Sequence, residues 1–404
     1  MNILFISNEY PPDTGYGGIG TYTKYAAEGL SALGHTVSVI TRAGNSHPYT
    51  TINNGVFIDR ITSLPYPLPQ FRSAYPIRNL IRRCFPHVLD RISWSKAVGK
   101  RLSDTVKKAK PYDIIEAPDC GAEALYLPGN SYRRFILRLH TPWEIIRKLD
   151  RIKEPPGDYF TLPFIERLTA SRADAVCAPS KAISDIMRRR WHLDNITVIP
   201  NPLPISTFTR TSGNAWIYTG RIERRKGVYM LIKAYANVRR RREAPPLVLV
   251  GRPYGRGYNG MEYIKTVETA ITECSAFADI RWIKGASLDN VATCLRSASV
   301  AFFPSIWENF PYACLEAMAS GCTVVATRCG GFTEIIDHEK NGLLLEPGSV
   351  SSIEKAMDYL LDNPSRTGEI GDAARKTIAE KVSSESVCRD IEQFYHSTLK
   401  RTDQ

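Results

Sequence analysis

Short apolar runs of β-forming residues alternate with helix-length stretches through almost the whole chain, and this alternation restricts the fold more than any other feature. In the first half, residues 2–7 (NILFIS), 36–41, 112–117, 134–140, 173–179 and 196–199 read as strands. In the second half, residues 216–219, 247–250, 280–283, 300–303 and 323–327 do the same. Strands joined by helical crossovers make parallel sheets with both faces covered, and no short-period repeat argues for a solenoid. Between the two series, Pro200-Asn201-Pro202-Leu203-Pro204 breaks the pattern and Ser/Thr-rich sequence follows to Asn214, the composition of a linker. A chain of 404 residues is long enough for two domains with their own cores. The expected fold class is α/β, two doubly wound parallel-sheet domains facing across a cleft.

Residues 300–321 (VAFFPSIWENFPYACLEAMASG) read as a strand, a tight loop and a helix. Pro304 and Ser305 end the strand. Pro311 opens a helix over 312–320, where its missing N–H costs nothing, and Gly321 stops it. The helix N-terminus directs N–H groups and a positive dipole end at the loop, a setting for a phosphate. Glu308 and Glu316 bracket it. Like charge keeps both off the phosphate itself, but each can accept hydrogen bonds from hydroxyls beside it. A phosphate with hydroxyls on two sides describes a nucleotide sugar, with Glu308 on the sugar, Asn309, Phe310 and Pro311 on the diphosphate, and Glu316 on the ribose. Two glutamates at this spacing also occur by chance, so the strand–loop–helix setting and the companion motifs carry the weight.

Glu308, seven residues and Glu316 in this setting resemble the E-x7-E motif of the family 4 retaining glycosyltransferases, which have the GT-B fold, and the resemblance extends over nearly the whole chain. Gly220, Arg221, Lys226 and Gly227 match the family's G-R-x4-K-G, whose Arg and Lys hold the donor diphosphate, one as a fork and the other as a point charge. Arg224 and Arg225 between them are expected to face solvent. Gly17 and Gly18, after the first strand, match the family's Gly-Gly loop over donor phosphate and acceptor. His140-Thr141-Pro142 is similar to its H-x-P, whose His lies near the donor sugar and acceptor. A polar residue at the carboxyl end of such a strand faces the ligand crevice. Glu116, Asp119 and Thr141 are candidate acceptor contacts, and Ile283 and Lys284 are candidates for the base pocket.

The resemblance implies Rossmann-like domains over residues 1–204 (acceptor side) and 205–383 (donor side), with a helix over 384–404 crossing back to the first. It implies a nucleoside-diphosphate sugar donor, a glycan, glycolipid or small-molecule acceptor, and a place in polysaccharide or glycolipid biosynthesis. It also implies retention of configuration, for which no protein nucleophile is assigned. His140, Arg221, Lys226 and Glu308 are the candidate catalytic residues. Arg221, Lys226 and the helix end would stabilise charge on the departing nucleoside diphosphate, and domain closure would exclude water. The chain has no D-x-D and no metal-ligand spacing, so neither a metal nor a cofactor is expected.

Composition is that of a globular protein, 43% hydrophobic and 23% charged, and no apolar run reaches the length of a bilayer span. The opening MNILFISNEYPP lacks a basic region and its apolar run stops at Ile6, so it is expected to be a strand and not a signal peptide. Nine cysteines without C-x-x-C are expected to be free thiols in a reducing compartment, hence a cytoplasmic protein, with a peripheral position on the inner membrane face as the alternative.

The net charge of +12 is uneven. Residues 71–110 hold eleven Lys and Arg against Asp90 and Asp104, a net +9, with Phe71, Ile77, Leu80, Phe85, Val88, Leu89 and Trp94 interleaved. This stretch fits an anionic membrane surface and a pair of solvated helices equally well. Family members whose acceptor is a lipid dock through this region. A second basic cluster, Arg239–Arg242, also points to a polyanion. Nucleic acid is not expected as a partner, since no aromatic-basic reading module appears.

Three other readings compete, one of them a basic nucleic-acid-binding protein that would use the basic patches and bind DNA or RNA with steep salt dependence. A sugar-nucleotide epimerase or hydrolase of the same fold would act without an acceptor. A phosphorylase would need pyridoxal phosphate, for which no lysine is marked out. Gly15, Gly17 and Gly20 also fit G-x-G-x-x-G, but Gly15 comes eight residues after Ser7, and Arg42 follows the second strand where an acid should hold a ribose, which argues against dinucleotide binding.

Overall fold

Strands covered by helices on both faces are apolar along their whole length, and β1 (Asn2–Ser7) shows it, with residues 3–7 all buried. The computed structural model describes residues 1–15, 17–44, 47–66, 75–107, 110–209, 212–254, 260–285 and 288–401. Phe71 of the basic stretch lies outside these. After β1 come α1 (Gly18–Ala32), β2 (Thr36–Arg42), β3 (Tyr49–Asn53), β4 (Val56–Ile61), α2 (Tyr75–Cys84), α3 (Pro86–Val106), β5 (Tyr112–Pro118), β6 (Tyr132–Arg138), α4 (Trp143–Leu149), α5 (Pro156–Ala170), β7 (Ala175–Ala178), α6 (Lys181–Trp191) and β8 (Ile196–Val198). The second series is β9 (Ala215–Thr219), α7 (Val228–Arg239), β10 (Leu247–Val250), α8 (Gly260–Cys274), β11 (Ile280–Ile283), α9 (Leu288–Arg296), β12 (Ala298–Phe303), α10 (Tyr312–Ala319), β13 (Thr323–Thr327), α11 (Phe332–Ile335), β14 (Leu343–Leu345), α12 (Val350–Asp362), α13 (Pro364–Val382) and α14 (Ser384–Lys400).

The strands form an eight-stranded sheet, β3-β4-β2-β1-β5-β6-β7-β8, and a six-stranded sheet, β11-β10-β9-β12-β13-β14. Pairing is parallel except at β3, which forms an antiparallel hairpin with β4. That hairpin was not legible in the sequence: every residue of β3 is exposed, so the strand has no apolar period to read. In each sheet the chain runs outward on one side of a central strand and then returns to the other side. The reversal falls between β1 and β5 in the first sheet and between β9 and β12 in the second. Ligands of doubly wound sheets bind at the carboxyl ends of the strands at such a reversal.

The chain divides into two units. The first holds Met1–Ile146, Glu154–Pro202 and Ser384–Gln404; the second holds Arg147–Lys153 and Leu203–Ser383. The division follows Pro202 instead of Pro204, because Leu203 already joins the second unit: its N–H bonds the carbonyl of Val382. Arg147–Lys153 also differs from the expected boundaries, since its Asp150 pairs with Arg225. In the first unit α14 packs on α1.

Two sequence readings of charge change. Arg239–Arg242 is not a free cationic patch. Arg239 pairs with Glu243, Arg241 with Glu354 and Asp358, and Arg242 with Asp358 and Asp362, while Arg240 bonds Asn237. Helix α12, packed on α7, supplies most of these acids. Within 71–110, α3 turns Val88, Leu89 and Trp94 into the core, so it is a covering helix. Its Asp90 is bonded to Arg42 at 3.0 Å, and Arg101 holds Asp59 at 2.6 Å. All nine cysteines are free. Among the described residues no helix is long and apolar enough to cross a membrane.

The first unit also buries a polar network. Glu116 of β5 is 2% exposed and accepts hydrogen bonds from Tyr22 of α1 (2.7 Å) and Tyr395 of α14 (2.8 Å). Arg138 of β6 is fully buried, lies 4.4 Å from the centre of the Tyr22 ring, and donates to Ile199 O, Pro200 O and Asn201 Oδ1. A buried carboxylate needs such partners, and removing one donor costs about 1–3 kcal/mol. Tyr395→Phe is therefore expected to lower stability toward urea by about that amount; an unchanged midpoint would show that α14 contributes no such bond.

Candidate functional site

The second unit builds its site where β9 and β12 end side by side. β9 runs into Gly220 and Arg221, and a short 3-10 turn, Arg224–Lys226, leads to α7. Gly227 ends this turn at φ 71°, and a Cβ there would sit 2.0 Å from the Pro304 carbonyl, so only glycine allows the turn to meet the β12 loop. Residues 304–311 form that loop, and α10 follows with Pro311 as its N-cap and no side chain capping it. The loop after β13 packs on the same backbone. A Cβ on Gly330 would fall 1.7 Å from Glu308 O, and Gly331 N donates to that oxygen at 3.0 Å.

Glu308 lies at the centre, 6% exposed. Its Oε1 accepts from Lys226 Nζ at 2.5 Å and from Arg225 Nη1 at 2.9 Å. Burial raises the pKa of this carboxyl, but the Lys226 ammonium and Arg225 guanidinium outweigh it and hold it at about 2. Burial lowers the Lys226 pKa, against the opposing pull of Glu308.

Arg225 corrects the solvent-facing expectation. It is 8% exposed and reaches Glu223 at 2.6 Å, Glu308 at 2.9 Å, Asp150 at 3.7 Å and the Trp307 carbonyl at 3.1 Å. Its neighbour Arg224 is exposed, as expected. Arg225, Glu223 and Asp150 are site residues that the sequence reading missed. Arg225 sits inside a basic run that looks like a surface charge cluster, and Asp150 comes from a distant segment, so no local pattern marks either. Arg221 is 3.4 Å from Glu223, and its guanidinium stands 4.4 Å from the centre of the Tyr254 ring.

The carboxyl of Glu316, in the second turn of α10, has no hydrogen-bond or ion-pair partner among the described residues. Burial alone raises its pKa to about 7. Lys226, Glu308, Asn309, Phe310, Pro311 and Glu316 are thus brought together, with Arg221 at the mouth of the same turn. Ile283 ends β11, and its carbonyl accepts from Gly251 N at 3.1 Å beside the Gly220 turn. Lys284 is turned away from the site onto Glu268 at 2.6 Å and over the Trp282 ring.

In the first unit the carboxyl ends of β1, β5 and β6 carry the other candidates. Gly17 caps α1, and a Cβ there would lie 2.6 Å from Glu9 Oε2, so the glycine loop closes around a carboxylate; Gly18 faces open space. His140 is 8% exposed, with its ring edge-on to Tyr22 at 5.3 Å. Burial and nearby Arg138 lower its pKa to about 3, so the imidazole is neutral. Thr141 Oγ1 donates to the His140 carbonyl at 2.5 Å.

Glu116 and Asp119 depart from their expected role as acceptor contacts. Glu116 is enclosed by the two tyrosines. Asp119 is 0% exposed and accepts from the backbone N–H of His140 (2.9 Å) and Cys120 (2.8 Å). A strand-end acid is spent inside the fold when N–H or O–H donors wait there, and Asp119 thereby fixes the turn that carries His140. No group of three or more His, Cys, Asp or Glu able to hold a metal occurs among the described residues.

Two family models match the chain, Glycosyltransferase Family 4 over residues 16–207 and Glycosyl transferases group 1 over residues 206–377. An uncharacterized glycosyltransferase of Methanocaldococcus jannaschii is 25% identical, covering 99% of both chains. Sucrose-phosphate synthase of Thermosynechococcus elongatus superposes with a TM-score of 0.79 at 20% identity, over 99% of both chains. Anabaena HepE, solved with UDP and glucose, does so with a TM-score of 0.71 at 17% identity, over 98% of this chain and 100% of that one. With both halves matched in order and two parallel-sheet units of this topology, the chain is a glycosyltransferase of family 4 with the GT-B fold.

Proposed function

We propose that this glycosyltransferase takes a sugar from a nucleoside-diphosphate sugar and transfers it, with retention and without a metal, to a hydroxyl of a glycan, glycolipid or small-molecule acceptor. The observation that carries the reading is the assembly of Glu308, the α10 N-terminus and the unpartnered Glu316 carboxyl on one strand–loop–helix unit, with Lys226 of the turn after β9 bonded to Glu308. The solved complex of the structural neighbour HepE with UDP and glucose supports it. The bond from the anomeric carbon to the β-phosphate oxygen breaks, and the acceptor oxygen bonds that carbon. The acceptor's proton ends on the released nucleoside diphosphate or in water.

Arg221, Lys226 and the N–H groups at the α10 N-terminus meet the charge that develops on the leaving group. An ammonium has three donors, and Glu308 occupies one of those on Lys226, which leaves donors for the diphosphate. Glu308 stays ionised at any working pH and accepts from sugar hydroxyls. Glu316 accepts from the ribose, and Ile283 borders the base. Gly17 and Gly18 leave room for donor phosphate and acceptor, with Thr141 beside the acceptor. His140, with a pKa of about 3, is too weak a base to take a proton from a hydroxyl. Its neutral ring positions the sugar or acceptor by hydrogen bonding. Within residues 71–110 the anionic-membrane partner is retained for α2, since α3 turns its apolar side inward.

Calorimetry with UDP, GDP, ADP, CDP and TDP in the presence of a chelator is expected to find one binder. No binding by any of them, or binding restored only by a divalent metal, would overturn the donor site as described. Lys226→Ala is expected to lower transfer by about 10²–10³-fold with the melting temperature little changed; near-wild-type transfer would remove Lys226 from the clamp.

Glu316 adds a pH signature. Ribose hydroxyls donate to the ionised carboxylate, so binding draws off its proton and affinity rises as pH increases through about 7. Glu316→Gln should flatten this part of the profile. An identical slope in the variant would mean that the titration belongs to another group.

A further inference from the structure

Helix α5 buries Leu162 and Ile165 as a covering helix does, yet its exposed side is aromatic and not polar. Its two acids are turned inward, Asp158 at 0% and Glu166 at 1% exposure. Asp158 accepts from the N–H groups of His87 and Val88 at the start of α3, and Glu166 from those of Gly121 and Trp143. Its outward face carries Tyr159, Phe160, Phe164 and Leu168, with Phe160 74% and Phe164 64% exposed. These positions follow the three- and four-residue spacing of a single helical stripe. Helix α2 packs beside α5 and exposes Ile77 (59%) and Leu80 (63%). Gly157 seats the junction, since a Cβ there would lie 2.4 Å from the Phe85 ring. The six exposed apolar side chains therefore lie on two neighbouring helices of the first unit.

Exposed apolar residues scattered singly need no explanation, but an aromatic stripe continued by a second helix marks a surface that another phase or molecule covers. Charge decides which. Helix α2 contains Arg78, Arg82 and Arg83 and no acid. The exposed Arg82, Arg83 and Arg167 flank the apolar stripe, and neither helix presents an acid to solvent. Large aromatic and aliphatic side chains rimmed by guanidinium groups on long stems suit the boundary between acyl chains and anionic headgroups.

We infer that the α2–α5 surface docks this enzyme onto an anionic lipid bilayer, with Phe160 and Phe164 entering the interface and Arg82, Arg83 and Arg167 on the headgroups. The contact lies in the plane of the membrane surface. It adds to α2, in the basic stretch 71–110, an apolar anchor on a helix of low net charge further along the chain.

Sedimentation of the full chain with vesicles of mixed phosphatidylglycerol and phosphatidylcholine tests this, because it reads the membrane directly and needs neither donor nor acceptor. The wild-type protein should bind these vesicles and bind pure phosphatidylcholine far more weakly. Phe160→Ser/Phe164→Ser, at exposed positions where folding is not at stake, should weaken binding by roughly tenfold or more. Arg82→Gln/Arg83→Gln should weaken it by roughly fivefold per charge and leave the residual binding less sensitive to salt. Wild type that stays in the supernatant, or a serine variant that still sediments fully, would overturn the inference. So would a wild-type dimer in gel filtration that the serine variant dissolves, since the stripe would then be an interface between copies. Calorimetry of nucleoside diphosphates on the same samples reads the donor site separately, so loss of one does not imply loss of the other.

Discussion

The second unit depends on one buried carboxylate. Glu308 stands at 6% exposure, where an isolated anion would cost several kcal/mol. It is tolerated because Arg225 and Lys226, from the turn after β9, both reach its Oε1. The same Arg225 bonds the Trp307 carbonyl, and its own carbonyl accepts from Ile306 N, so the turn and the β12 loop are held as one piece. Formally the three acids Asp150, Glu223 and Glu308 balance the three bases Arg221, Arg225 and Lys226. The site therefore offers an incoming anion directed N–H and ammonium donors and not a net positive charge. Directed donors that are already fixed lose little to reorganisation when charge develops, which is what a leaving diphosphate requires.

The first unit solves a related problem for a different end. Glu116 and Arg138 are also buried at the carboxyl ends of central strands, but here the carboxylate is closed off by two tyrosine hydroxyls. The guanidinium is spent on the carbonyls at the start of the linker. One tyrosine comes from α1 and the other from α14 near the end of the chain. The network thus fastens residues from both ends of the sequence to the sheet, and Asp119 next to it sets the turn that carries His140. Carboxylates that resemble substrate contacts in the linear chain turn out to support the positions of other groups.

Helix α5 shows the same trade in reverse. Its acids are drawn inward by backbone N–H groups that need acceptors at the start of α3 and near Gly121. With both acids buried beside Leu162 and Ile165, the side left outside carries Tyr159, Phe160, Phe164 and Leu168. The arginines at the end of α7 carry no such surplus, because α12 returns acids to Arg241 and Arg242, and Glu243 pairs with Arg239.

The alternation of strands and helices, the proline-rich break, and the strand–loop–helix around Glu308 and Glu316 were legible in the sequence. Each rests on local terms: side-chain period, backbone limits of proline and glycine, and spacing within one element. Lys226, Glu308 and Glu316 were found because their setting is local too, two of them within a single loop and helix. What only the tertiary structure decided is which charges are buried and which partner each one meets. Arg225 looked solvated and is the brace of the site. Glu116 and Asp119 looked available and are consumed, and the α5 stripe was invisible among ordinary apolar residues. Those outcomes depend on Asp150, Tyr395, His87 and others far away in the chain, and burial together with pairing, unlike helical period, has no signature in neighbouring residues.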